Sequence, residues 1–134
     1  MKFLSKLLVI IAVLFIFSFY IWGHGMTNWK VPEENKRVNN SLSTDENSIS
    51  RGKELYKKKC IDCHVETGDG KGSMADELTV KPSNFNNNNM MSMMTDGEIF
   101  YKISKGNQPM PQWEKKLTEN ERWDLVNYIK TFAK

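Results

Sequence analysis

The chain has 134 residues, with 19 Lys and Arg against 16 Asp and Glu and a formal net charge of +3. That length allows one small domain and an appendage. A charge so nearly balanced, without aromatics interleaved among basic residues, excludes nucleic-acid binding.

Residues 1–25 are read as an N-terminal transmembrane anchor or uncleaved signal. Lys2 and Lys6 precede an unbroken apolar run from Leu7 to Trp22 in which Ser18 is the one small polar residue. Counted from Phe3 the segment has 20 residues, close to the ~20 that span a ~30 Å hydrocarbon core. A cleaved signal wants small side chains after its apolar core. Here Phe19, Tyr20, Ile21 and Trp22 stand there, so the retained anchor is the preferred reading. Tyr20 and Trp22 suit the far headgroup level, and the two lysines place the short N-terminus in the cytoplasm. Everything after Trp22 is then expected on the periplasmic, outer side of the cytoplasmic membrane.

Residues 26–49 read as a polar, flexible linker. Asn, Glu, Lys and Ser dominate, and Val31, Val38, Leu42 and Ile49 follow no sustained period. So little apolar surface does not offset the entropy of ordering. A flexible coil of 23 residues (Asn28–Ser50) has a root-mean-square span on the order of 25–30 Å. Such a tether either lets the following domain swing or lies ordered against a partner subunit.

From Ser50 to Lys134 there are about 85 residues, near the lower limit for an independent core. Ser50 is placed as the cap of a first helix running through Tyr56 into Cys60-Ile61-Asp62-Cys63-His64. Cys-x-x-Cys-His reads as a c-type haem attachment site, its two thiols reaching the vinyl groups of one haem and its histidine reaching the iron. A structural zinc site wants four Cys or His ligands, and the remaining histidine, His24, sits beside the apolar segment. A thioredoxin-like dithiol wants a βαβ pattern, which is absent from the sequence. Gly68-Asp69-Gly70-Lys71-Gly72 lacks the preceding strand and the Lys-Ser/Thr ending of a phosphate loop, so it reads as a tight turn.

Asn86–Asn89 and the cluster Met90, Met91, Met93 and Met94 read as loop. Gap-filling packing is the preferred role for these methionines; soft copper ligation is the minor one. Thr95-Asp96-Gly97-Glu98 has the form of a capping box, opening a helix with Ile99, Phe100 and Ile103 on one side and Gly106 as its stop. Thr118-Glu119-Asn120-Glu121 is a second box. The helix after it carries Trp123, Leu125, Val126, Tyr128, Ile129 and Phe132 at helical spacing. The fold class is therefore all-α, with no strand expected.

Gly52, Tyr56, Cys60-x-x-Cys63-His64, Met110-Pro111 and Leu125-x-x-Tyr128 together resemble class I cytochrome c. The resemblance covers residues 50–134, read as one monohaem domain. It implies that a small residue on the first helix lets the terminal helix cross closely, with aromatics locking the crossing. It implies one covalent haem c on Cys60 and Cys63, with His64 and Met110 as axial iron ligands. A methionine of the 90–94 cluster is the second choice, and Met74 is too near His64 in the chain. It also makes the Pro82 carbonyl a candidate acceptor for the His64 ring N–H, against an ordinary loop proline. Trp113 is expected beside the haem or at the start of the last helix. Lys57-Lys58-Lys59 reads first as a solvated face, second as a steering patch for an acidic partner.

The implied work is electron transfer by Fe(II)/Fe(III) cycling with donor and acceptor proteins, without a catalytic residue, small-molecule substrate or nucleic acid. The alternative is a fixed haem subunit of a larger membrane oxidoreductase; the small subunit of nitric oxide reductase has the same layout. A ligand sensor would need a labile Met110 bond.

Overall fold

The computed structural model describes residues 29–133. The expected anchor, residues 1–25, lies outside them. Among the described residues no helix is long and apolar enough to cross a membrane. Val31–Lys134 forms one compact unit. Its helices are α1 (Glu33–Lys36), α2 (Glu46–Lys59), α3 (Ile61–His64), α4 (Asn88–Met93), α5 (Asp96–Lys105) and α6 (Glu119–Lys130), with a single 3-10 turn at Ala75–Glu77. The described residues form no strand, as expected, and one isolated bridge joins Asn107 to Met110.

The crossing of α2 and α6 organises the unit. A Cβ built on Gly52 would lie 2.1 Å from the Asp124 carbonyl oxygen and 2.8 Å from Tyr128 Cβ. Only glycine permits this approach. One turn on, the Tyr56 ring meets Tyr128 edge-on with centroids 5.2 Å apart and leans on Phe132 at 5.4 Å. Tyr56, Trp123, Leu125 and Val126 are fully buried in the same core as Ile99, Ile103 and Leu117. Tyr128 thus meets both Gly52 and Tyr56 as expected, with Asp124 and Phe132 as the further contacts, while Leu125 is buried in the same core.

The helix ends follow their sequence signals unevenly. Thr118 and Glu121 form the full reciprocal capping box on α6. Thr95 caps α5, while Glu98, the expected other half of its box, pairs with Lys102 at 2.8 Å. Gly106 ends α5 with φ +60°.

Three expectations are corrected. First, α2 starts at Glu46, four residues before Ser50, because the Asp45 side chain accepts from Ser48 N. Second, Asn88–Met93 is a helix and not loop, because Asn87 caps it through Met90 N. Met91 is buried there, Met90 and Met94 pack on the core, and Met93 is exposed.

The third correction concerns the linker. Residues 31–49 are packed against the domain, so the boundary expected at 49/50 falls before Val31. Val31 is buried. The backbone of Asn35 and Val38 lies so close to Gly97 that a Cβ there would come within 2.3 Å of the Asn35 oxygen. Thr95 Oγ1 donates to the Lys36 carbonyl at 2.7 Å. Beyond this, Asn127 on α6 accepts from Asn40 (2.7 Å) and Thr44 (3.1 Å) and donates to Ser48 Oγ (2.8 Å). Ser48 Oγ in turn donates to Asp124 at 2.6 Å, and Arg51 holds the same carboxylate through Nε and Nη2, both at 2.8 Å. Ser48, Asp124 and Asn127 are all buried. The arm is ordered because these hydrogen bonds satisfy buried polar groups that would otherwise cost about 1–3 kcal/mol each.

Candidate haem-attachment site

Cys60 is where α2 breaks and α3 begins. Its N–H still donates back to Tyr56 O at 2.8 Å, and its own carbonyl accepts from Cys63 N (3.2 Å) and His64 N (2.8 Å). Positions i, i+3 and i+4 of a helical turn share one face, so Cys60, Cys63 and His64 are presented together. Neither cysteine is in a disulfide.

A single turn leaves its last carbonyls to be satisfied by something else. The glycine loop does this. Met74 N donates to Asp62 O (3.1 Å), Gly72 N to Cys63 O (3.1 Å) and Gly70 N to His64 O (3.3 Å). Gly72 is wedged so tightly that a Cβ would lie 2.1 Å from Asp62 O. The chain leaves the turn through Val65 at φ +61°, a left-handed value that costs a β-branched residue about 1–3 kcal/mol. The Tyr56 hydroxyl, donating to Val65 O at 2.8 Å, helps hold it there. The segment 68–72 is thus the turn expected of it.

The walls of the site are apolar. The His64 ring stacks on Phe85 with centroids 4.8 Å apart and 17° between planes. Burial pushes His64 below its ordinary pKa, a Ser83 backbone group pulling weakly the other way. The ring is therefore neutral, the form that ligates metals. Its Nδ1 is buried and makes no hydrogen bond of normal geometry among the described residues, so the Ser83 group is near the ring without being aligned on that atom. The backbone group beside the ring comes from Ser83, one residue past the expected Pro82. The Pro82 and Ser83 carbonyls both lie against Gly70.

Burial and the nearby Cys63 push the Cys60 thiol up to about 12; burial raises Cys63 also. Reactive dithiols have depressed values, so the redox-dithiol reading loses support. What fits is a pair of thiols and a neutral imidazole, with one ring nitrogen unpartnered, on one face of an anchored turn.

Met110 is half-buried and packs on the same core as Cys60. It sits in a closed turn, Asn107 N donating to Met110 O (3.0 Å) and Met110 N to Asn107 O (2.8 Å), with Gln108–Pro109 cis. Trp113 is buried at the foot of this turn and starts the chain toward α6, its carbonyl accepting from Lys116 N and Leu117 N. Met74 is exposed. The basic run is also exposed, Lys57 lying 3.6 Å from Glu66, as its solvated reading expects. Phe85, the Tyr56 hydroxyl and Ser83 are site residues that the sequence reading did not single out. For Phe85 the one signal was an aromatic in an otherwise polar run.

Known proteins are similar to this chain. The family model described as "Cytochrome C oxidase, cbb3-type, subunit III" matches residues 47–129. Cytochrome c6 of Alaria esculenta is 26% identical over 83 residues, 62% of this chain and 90% of that protein. A solved chain of the Kuenenia stuttgartiensis reducing HAO-like protein complex Kustc0457/Kustc0458 gives a TM-score of 0.62 at 26% identity, over 72% of this chain and 50% of its own. The chain therefore spans about half the length of that relative. The KustC0563 c-type cytochrome gives 0.56 at 26% identity, over 62% of this chain and 98% of its own. The chain belongs to the cbb3-type subunit III family of cytochrome domains and is a class I c-type cytochrome, with covalent haem c and electron transfer as its chemistry.

Proposed function

We propose that this cytochrome is a membrane-anchored, single-haem electron carrier on the outer side of a cytoplasmic membrane, with haem c bonded to Cys60 and Cys63. His64 and Met110 would be the residues that ligate its iron. The observation that carries the haem part of this reading is the anchored turn that presents Cys60, Cys63 and His64 on one face; the anchor rests on the apolar run of residues 7–22 alone.

When bound, haem c supplies reversible one-electron transfer. Cys60 and Cys63 fix its position. His64 offers an imidazole nitrogen, and the thioether of Met110 favours a higher potential than a second histidine would. Phe85, stacked on the His64 ring and buried in the core, would keep water from that side of the imidazole. With both His64 and Met110 holding the iron, no position would be open for a substrate, and the chain's own residues would serve only to bind and orient the group.

A second reading, a fixed haem subunit of a larger oxidoreductase, is favoured by two likenesses: the matching family is named for an oxidase subunit, and one structural relative is part of a complex. Purification from the native membrane in mild detergent separates the two. Recovery of the chain alone supports the carrier; stoichiometric recovery with a catalytic subunit supports the fixed subunit. For the attachment itself, acid-acetone extraction of denatured protein should leave polypeptide plus haem by mass, and the bare polypeptide mass would overturn it.

A further inference from the structure

The turn bearing Met110 is tied at its base by groups that the proposed ligand set does not use. Trp113 N donates to Ile103 O (3.3 Å) and Glu114 N to Ser104 O (3.1 Å), consuming two of the last carbonyls of α5. Between them the chain makes its excursion from Gly106 to Gln112. Gly106 is pressed so closely on Pro111 that a Cβ would lie 2.6 Å from the Pro111 carbonyl carbon and oxygen.

The carboxylate of Glu114 closes the excursion from both ends. Oε2 takes the Lys105 ammonium at 2.7 Å, from the residue just before the loop. Oε1 takes the Gln112 side-chain amide at 2.5 Å, from the residue just after Pro111. Lys105 holds the Glu114 carboxyl below its usual range, chiefly through this hydrogen bond. A loop pinned at both ends by one planar group loses the motion that would carry Met110 away from the core.

Resting on the His64/Met110 reading, we propose that Glu114 is a positioning residue: bridging Lys105 and Gln112, it clamps the loop and keeps the Met110 sulfur on the iron.

The test uses the purified holoprotein. Reduced protein takes up carbon monoxide only while the Met110 sulfur is detached, so the uptake rate reads the detached population. E114Q removes the charge that pairs with Lys105 and leaves one acceptor oxygen where two donors, Lys105 Nζ and Gln112 Nε2, are now met. For a partly exposed clamp, its uptake rate should rise roughly two- to five-fold. The long-wavelength absorption band of the iron–thioether bond should weaken in the oxidised form. The charge-swapped pair K105E/E114K should recover much of both signals, which a general loss of stability would not allow. Met110→Ala is the reference: if it takes up carbon monoxide no faster than the native protein, the ligand assignment fails. If Met110→Ala is fast while E114Q matches the native rate and band, the clamp alone is overturned.

Discussion

Residues 60–64 hold their shape through partners a few positions away, whereas residues 31–48 hold theirs through partners across most of the chain. The carbonyls of the haem-motif turn are met from Val65, Gly70, Gly72 and Met74, and its exit is tied by Tyr56, nine residues from Val65. Asn40 reaches Asn127, 87 residues on, and Ser48 reaches Asp124, 76 residues on. The first region can be specified by a local string of residue types. The second is polar on its own and becomes ordered only because α6 turns two buried polar groups toward it. Polarity in a sequence therefore marks disorder only where no distant partner is available.

This contrast can be broken at several strengths. Replacing both Cys60 and Cys63 with serine has the largest expected effect. Covalent haem should be lost entirely, acid-acetone should leave the bare polypeptide mass, and circular dichroism should show a loss of helix, since a domain this short relies on the haem to fill its centre. Retained covalent colour would refute the attachment.

Gly52→Ala comes next, because the crossing supports both regions. The new methyl collides with the Asp124 backbone, so α2 and α6 must separate at a cost of about 3 kcal/mol. A denaturant midpoint within error of the native protein would show that the crossing yields more easily than its geometry requires. Asn127→Ala removes the partner of Asn40, Thr44 and Ser48 at about 2 kcal/mol. It should speed hydrogen exchange through residues 40–48 while leaving the visible spectrum of the haem in place. Unchanged exchange would return the arm to the loose tether expected from its composition.

Tyr56→Phe removes the hydroxyl that holds Val65, at about 1 kcal/mol, and should shift the thermal midpoint slightly. A larger loss would mean that the strained exit depends on this one bond. The smallest effect is on pH. The native pKa of Glu114 lies below its unfolded value. Its stabilisation is therefore complete above the ordinary carboxylate value and disappears as the pH falls through the lower native one. An acid unfolding curve should steepen slightly in that window, and E114Q should remove that component alone.

The parts legible in the sequence are those whose physics is local or whose geometry allows one residue type. The motif turn needs two thiols and an imidazole at i, i+3 and i+4. Gly52 is the one residue small enough for its crossing, Thr118 and Glu121 cap α6 by spacing alone, and Gly106 supplies the positive φ that ends α5. Tertiary structure decided the rest. Asp124 and Asn127 look like the solvent face of an amphipathic helix, but the arm covers them, and burial forces their hydrogen bonds to be met from residues 40–51. The start of α2 moved to Glu46 for a related reason. Asp45 was free to cap it, and Ser48, on its first turn, was needed at the buried seam. Composition measures what a segment buries by itself, whereas the fold determines what another segment buries for it.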